Sequence, residues 1–161
     1  MINKKYLSAI GSILLGRKET IAMAESVTSG YLQFVFSQAE NASGFFQGGI
    51  TAYNLGQKVR HLGIEPIHAE ENNCVSLQAA VQMAIGSTKL FTSHWGIGIT
   101  GYATPLSLWK IKKPFAFYAI TYNTKVLFSN RVDSTRLQGK PSQEYFVQET
   151  LKSFHKLLST I

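Results

Sequence analysis

Apolar positions recur every three to four residues at Tyr6, Leu7, Ile10, Ile13 and Leu14, which predicts an amphipathic helix over about 3–16. Gly16-Arg17-Lys18 ends it, with Gly16 as the expected C-cap and cations at the negative end of the dipole. The apolar run 21–24 suits a short buried strand that breaks at Ser26 into a helix starting near Thr28. That helix carries Tyr31, Leu32, Val35 and Phe36 on one side and fades over 38–41. A turn at Asn41-Ala42-Ser43-Gly44 leads into a predicted strand over 45–53, where Gly48-Gly49 marks a bulge or a close backbone approach. Asn54 caps a short helix to about Leu62, stopped by Gly63. The stretch 64–73, with Pro66 and the pair Glu70-Glu71, reads as loop.

Ser76 then caps a helix to about Leu90, with Leu77, Ala80, Val81, Ala84 and Ile85 as its inner stripe. A strand over 95–100 alternates bulky residues with Gly96 and Gly98, and a loop follows over 101–114. Phe115–Tyr122 and 125–132 alternate at period two, and Asn123-Thr124 is short enough for a hairpin turn. A polar, bendable stretch at 138–142 precedes a last helix over 143–158. No repeat, low-complexity segment or linker interrupts the pattern. Helices alternating with strands, then a hairpin, predict one α/β domain over 1–161. The expected architecture is a three-layer α/β/α sandwich around a mixed, largely parallel sheet with a C-terminal hairpin.

Composition narrows the class. With 161 residues, 45% hydrophobic and 16% charged, the chain suits one ordinary domain rather than a disordered one. Such a domain buries about 68–70% of its unfolded surface. No apolar run reaches the roughly 18–20 residues of a membrane helix. The weakly basic Met1-Ile2-Asn3-Lys4-Lys5 leads into a run broken by Ser8, Gly11 and Ser12 with no small-residue cleavage site, so a mature cytoplasmic start is expected. The single Cys74 excludes an internal disulfide and reads as a small buried hydrophobe. The four His, at 61, 68, 94 and 155, are too scattered for a metal centre, and neither metal nor cofactor is expected. The net charge of +7 is spread along the chain, with one cluster at Trp109-Lys110-Ile111-Lys112-Lys113. A solvated loop accounts for that cluster first, and an anionic small molecule or nucleic acid second.

Chemistry is suggested where three predicted strands end at polar residues: Glu25-Ser26, Tyr53 and Thr100. If the strands are parallel neighbours, these residues converge on one crevice. A serine there needs a base, no His stands in a triad position, and a lysine serves when its pKa is depressed. Lys58 sits near the positive end of the helix after Asn54, which disfavours the ammonium, and Tyr53 stands between as a possible proton carrier. The plainer readings stand beside these. Ser26 or Thr28 is a helix N-cap, Lys58 a solvated lysine, Tyr53 a strand-end aromatic, and Thr100 a strand-end cap. Glu25 either orients the lysine or satisfies buried amides of the turn, the second being favoured. Glu70, Glu71 and Asp133 have no partner at acid/base spacing and read as surface.

Ala24-Glu25-Ser26-Val27-Thr28-Ser29-Gly30 resembles the Ala-Glu-Ser-Cys-Thr-Gly-Gly motif of the CinA C-terminal domain family, the nicotinamide-nucleotide amidases. Thr51-Ala52-Tyr53-Asn54 with Lys58, Cys74-Val75-Ser76, and Ile99-Thr100-Gly101-Tyr102-Ala103-Thr104-Pro105 resemble that family's later landmarks, in order over nearly the whole chain. The resemblance implies metal-free deamidation of nicotinamide mononucleotide to nicotinate mononucleotide and ammonia. Ser26 is then the nucleophile, Lys58 its base and Tyr53 a proton relay. Glu25, Thr28, Ser29, Gly30, Thr100, Gly101 and Lys140 hold the nucleotide, with Thr100 beside the reacting amide. The backbone after Ser26 supplies the oxyanion donors. The resemblance also implies a homo-oligomer and a stand-alone amidase domain without the separate N-terminal domain of full-length members. Nucleic acid is not an expected partner.

The departures fall on the substrate loops. Val27, Ser29 and Thr104 replace the motif's Cys and two Gly, Leu106-Ser107-Leu108-Trp109 stands where a glycine-rich run is expected, and Gly139-Lys140-Pro141 replaces Gly-Asp-Arg. Lys140 restores a charge but not a bidentate fork. Tyr102 and Trp109 either stack on a ring or plug the pocket. The alternative function is therefore a non-catalytic member that binds a nucleotide or a protein partner.

Overall fold

The computed structural model describes residues 2–135 and 137–161; Met1, at the head of the basic N-terminal stretch, lies outside them. The first helix, α1 (Lys4–Arg17), forms where the apolar period places it, with the Asn3 side chain accepting from the Lys5 amide. Its end differs from expectation. Gly16 lies inside the helix, and the left-handed C-cap is Lys18, with φ 55°. Strand β1 (Ile21–Glu25) is buried throughout. Helix α2 (Tyr31–Ser37) begins three residues later than its apolar side suggested, because Ser29 and Gly30 take φ of 50° and 93°, outside any right-handed helix.

Strand β2 (Phe46–Thr51) carries the expected irregularity: its register against β1 slips between Phe46 and Gly48, where φ is 123°. Helix α3 (Leu55–Leu62) is capped by the Asn54 side chain and stopped by Gly63 in the left-handed region. The stretch read as loop over 64–73 contains a short helix instead, α4 (Pro66–Glu71). Glu65 accepts from the Ile67 and His68 amides there, and Pro66 presets the first helical φ.

Helix α5 (Leu77–Phe91) follows its Ser76 cap, and strand β3 (Trp95–Tyr102) runs two residues beyond the expected end. Within 101–114, Leu106 and Ile111 exchange two backbone hydrogen bonds around a tight turn at Ser107–Trp109, so this segment is a small hairpin rather than plain loop. Strands β4 (Phe115–Tyr122) and β5 (Lys125–Asp133) are joined by Asn123 and Thr124, both at positive φ, the twist that tight hairpins require. Helix α6 (Lys140–Leu158) starts three residues early, with Pro141 in its first turn.

The sheet order is β2-β1-β3-β4-β5, the first three strands parallel and the last two antiparallel. Its two faces differ in bulk. Ile21, Met23, Trp95, Ile97, Ile99, Tyr118 and Ile120 form a core with α1, α2 and α6, through Leu14, Phe36, Phe146 and Phe154 among others. The opposite face is floored by Ala24, Gly96, Gly98 and Ala119, and Ala80 and Ala84 of α5 lie directly on it. A Cβ at Gly98 would stand 2.2 Å from the Ala80 carbonyl oxygen and 2.5 Å from the Ala84 nitrogen, both backbone atoms that cannot swing aside. Gly98→Ala is therefore expected to destabilise the fold by about 2–3 kcal/mol. At about 2–4 °C per kcal/mol for a domain of this size, thermal denaturation should show a loss of roughly 4–12 °C; an unchanged melting point would show that α5 can lift away freely.

Two of the scattered histidines make hydrogen bonds within the fold: His94 Nδ1 accepts from the Thr20 amide at 3.0 Å, and His68 bonds the Ser76 hydroxyl at 2.9 Å. Lys110, Lys112 and Lys113 are exposed, as a solvated loop requires. Among the described residues no helix is long and apolar enough to cross a membrane.

Candidate active site

Because β2, β1 and β3 run parallel, their carboxyl ends share one edge of the sheet, with Glu25 in register with Thr51 on one side and Ile99 on the other. Ser26 follows directly on that edge. The chain leaving β2 passes Ala52, whose amide donates to the Glu25 carbonyl at 2.9 Å, then Tyr53 and the Asn54 cap. Helix α3 turns back over the edge and delivers Lys58, whose Nζ donates to Ser26 Oγ at 2.9 Å. Both side chains are buried, Lys58 to 2% exposure and Ser26 to 7%. A cavity of about 350 Å³ opens on this pair, walled by Cys74, Thr100, Gly101 and Tyr102.

Burial is the dominant force on the lysine. It pushes the Lys58 ammonium below the usual lysine range, opposed in part by the neighbouring Cys74. Burial also raises the Cys74 thiol, with Lys58 pulling the other way, which favours its neutral form. Among the described residues no ion pair engages Lys58. The folded pKa lies below the unfolded value of about 10.4, so between the two the unfolded chain holds the extra proton and stability rises with pH. In urea midpoints measured against pH up to about 10, that rise is expected in the parent protein and absent in Lys58→Met. An identical slope in both would mean that Lys58 is not the shifted group.

Glu25 takes the structural of its two expected roles. Fully buried, its carboxylate accepts from the Thr28 hydroxyl and from the amides of Gly30, Leu32 and Gln33 at 3.2, 2.9 and 2.7 Å. It thus fills the N-terminus of α2 from the strand before it. Neither Ser26 nor Thr28 is the N-cap, since that position belongs to Gly30 and the Ser26 hydroxyl is engaged by Lys58. The amides after Ser26 belong to a turn closed by Ser29 N–H on the Ser26 carbonyl at 3.0 Å. Among the described residues, the Val27 and Thr28 amides donate to no protein group.

Thr100 and Gly101 shape the far wall. The Thr100 hydroxyl donates to the Cys74 carbonyl at 2.8 Å, fixing two consecutive left-handed residues, Asn73 and Cys74, at φ 49° and 59°. Asn73 Nδ2 donates to the Tyr102 hydroxyl at 3.0 Å, which ties Tyr102 to this wall of the cavity. Gly101 is needed for close approach, since a Cβ there would meet the Phe115 carbonyl oxygen at 2.2 Å. Asn73 escaped notice in the sequence because it lies in the stretch read as loop.

Other expected residues lie apart from the pair. Tyr53 stands at the cavity mouth, 69% exposed, and hydrogen-bonds neither Ser26 nor Lys58. Ser29, Gly30 and Lys140 line a separate shallow groove on the outer side of the turn. Lys140 is largely exposed there, with Nζ 3.9 Å from Glu144. Trp109 does not line the Ser26 cavity. Among the described residues no group of three or more His, Cys, Asp or Glu side chains is placed to hold a metal.

Comparison with known proteins returns one family. A family model described as the CinA C-terminal domain matches residues 3–158. A CinA-like protein of a Picosynechococcus species is 43% identical over 98 residues, 61% of this chain and 23% of that protein. One from Nostoc punctiforme is 35% identical over 103 residues, 64% of this chain and 25% of that protein. The matched segment thus spans about a quarter of the length of these curated relatives. In fold the chain is similar to a competence-damaged protein (CinA) superfamily protein from Klebsiella pneumoniae, with TM-score 0.89, 18% identity and 98% of each chain covered. It is equally similar to one from Enterobacter cloacae, with TM-score 0.90, 23% identity and 98% and 94% covered.

Proposed function

This chain belongs to the CinA C-terminal domain family, and on that premise we propose that it hydrolyses nicotinamide mononucleotide to nicotinate mononucleotide and ammonia by a serine–lysine mechanism. The observation that carries the reading is the 2.9 Å contact between the buried Lys58 Nζ and Ser26 Oγ at the floor of an open cavity. Neutral Lys58 takes the Ser26 proton as Oγ bonds to the amide carbon, and the oxygen of that carbonyl gains the negative charge. The free amides of Val27 and Thr28 are the donors for it, at about 3 kcal/mol each in comparable sites. Collapse breaks the carbon–nitrogen bond, and Lys58 returns the proton to the leaving ammonia. Water then attacks the acyl-serine with Lys58 again as base, releasing the carboxylate and restoring Ser26.

The direct contact lets the proton pass without an intermediary. We assign Tyr53 to cover the bound ring at the mouth, and a relay requires its side chain to turn inward on binding. The net charge of +7 suits a phosphate-bearing substrate. The reading extends to a cytoplasmic homo-oligomer, as the family resemblance implies. Its test is ammonia release from nicotinamide mononucleotide by the parent protein beside Ser26→Ala. Release that depends on Ser26 is expected, and no release from any pyridine-nucleotide amide overturns it.

A second reading rests on Thr104 and the hairpin around Ser107–Trp109, which replace glycines at the mouth. On it, the cavity binds a nucleotide or a protein segment without turnover. Binding indifferent to Ser26→Ala, with no ammonia formed, would favour it.

A further inference from the structure

The nucleophile's turn is held from three sides, and one of the three is supplied by a residue far along the chain. Gln143, in the first turns of α6, donates from Nε2 to the Val27 carbonyl at 2.8 Å across 116 residues. It reaches the turn from the groove that Thr28, Ser29, Gly30 and Lys140 also line, which shares no lining residue with the Ser26 cavity. The peptide linking Val27 to Thr28 is trans, so its N–H points opposite to its carbonyl. Anchoring the carbonyl on Gln143 therefore turns the Thr28 N–H away from the Gln143 side. That N–H has no acceptor among the described residues although Thr28 is 1% exposed. A buried amide without a partner is costly unless something accepts from it during function.

We infer that Gln143 is the positioning residue for the oxyanion-binding peptide: it fixes the plane of Val27–Thr28 so that the Thr28 amide faces the developing negative charge. This rests on the amidase reading and adds to it a residue outside every motif that carries the family resemblance. Among the described residues no other hydrogen bond reaches the Val27 carbonyl. Glu25 holds Thr28 through its hydroxyl, and Ser29 N–H holds the Ser26 carbonyl, but neither touches the Val27 carbonyl. Without Gln143 the peptide is free to rock, and the donor spends part of its time misdirected just when charge develops.

Two variants separate the ideas. Gln143→Met keeps the length and removes the donor. Gln143→Glu keeps the shape and sets a carboxylate against the Val27 carbonyl. With nicotinamide mononucleotide as substrate, kcat is expected to fall about 10–100-fold in Gln143→Met and further in Gln143→Glu, less than the about 10²–10³-fold of a wholly lost oxyanion donor because the donor is misdirected and not removed. KM should change less than about threefold, because the interaction tightens only as charge develops. Labelling of Ser26 by a fluorophosphonate, read by intact mass, should slow in the same order, and this readout needs no particular substrate. Ser26-dependent turnover with kcat unchanged in both variants overturns the role of Gln143 and leaves the amidase reading standing. A parent protein that neither releases ammonia nor labels at Ser26 overturns the amidase reading, and the positioning role with it.

Discussion

Ser26→Ala is expected to lower amide turnover by about 10⁴–10⁶-fold, and adding Lys58→Met to it should lower turnover no further. The two side chains act as one device: the lysine has no proton to take once the hydroxyl is gone. Alone, Lys58→Met should cost about 10²–10⁴-fold, the usual range for a general base. The non-additivity is the informative part. If the pair acted independently, the losses would multiply, and the double variant would fall well below Ser26→Ala. Steady-state ammonia release by the parent and three variants at one pH settles the matter. Neither substitution threatens the fold. Alanine retains most of the volume of the serine, and methionine removes a buried amine whose one hydrogen bond among the described residues is to Ser26.

Glu25→Ala is expected to have the largest effect on stability, about 3–5 kcal/mol. Its carboxylate is the shared acceptor for one hydroxyl and three backbone amides at the start of α2, all of them left unsatisfied by the truncation. At about 2–4 °C per kcal/mol, a thermal melt should fall by roughly 6–20 °C. Glu25→Gln should cost less, about 1–3 kcal/mol, since one oxygen still accepts while the new amine faces donors. A melt shifted by under 2 °C in Glu25→Ala would mean that water replaces the carboxylate and that the turn does not depend on it. Because the same turn carries Ser26, the surviving folded fraction should also lose kcat.

The fold was legible where side chains repeat. The alternation of bulky residues with Gly96 and Gly98 announces both the strand and its unequal faces, and Asn123-Thr124 announces the hairpin. Of the three expected polar strand ends, Glu25 does end its strand with Ser26 next to it, whereas β2 stops at Thr51 before Tyr53 and β3 runs past Thr100 to Tyr102. What could not be read was backbone conformation and long-range contact. Nothing in Thr28-Ser29-Gly30 declares that Ser29 adopts φ 50°, which is why α2 was expected too early. The helix at Pro66–Glu71 hid behind a proline that reads as a breaker but here begins a helix. Lys140, the cation nearest the place of the motif's arginine, is where α6 starts, and it lines the outer groove. Gln143 looks like any polar residue on a helix, and only the third dimension brings it against Val27.

The seat of α5 on Gly96 and Gly98 has a consequence for motion. Where backbone rests on backbone there are no side chains to change rotamer, so this half of the molecule has little soft give. The amides of β3 and α5 should be the last to exchange with heavy water, opening only with the whole domain. Cys74 and Val75, which lead into α5 and line the Ser26 cavity, adjoin that stiff seat. The wall of the cavity formed by Cys74 and Val75 is therefore expected to keep its shape when a ligand enters.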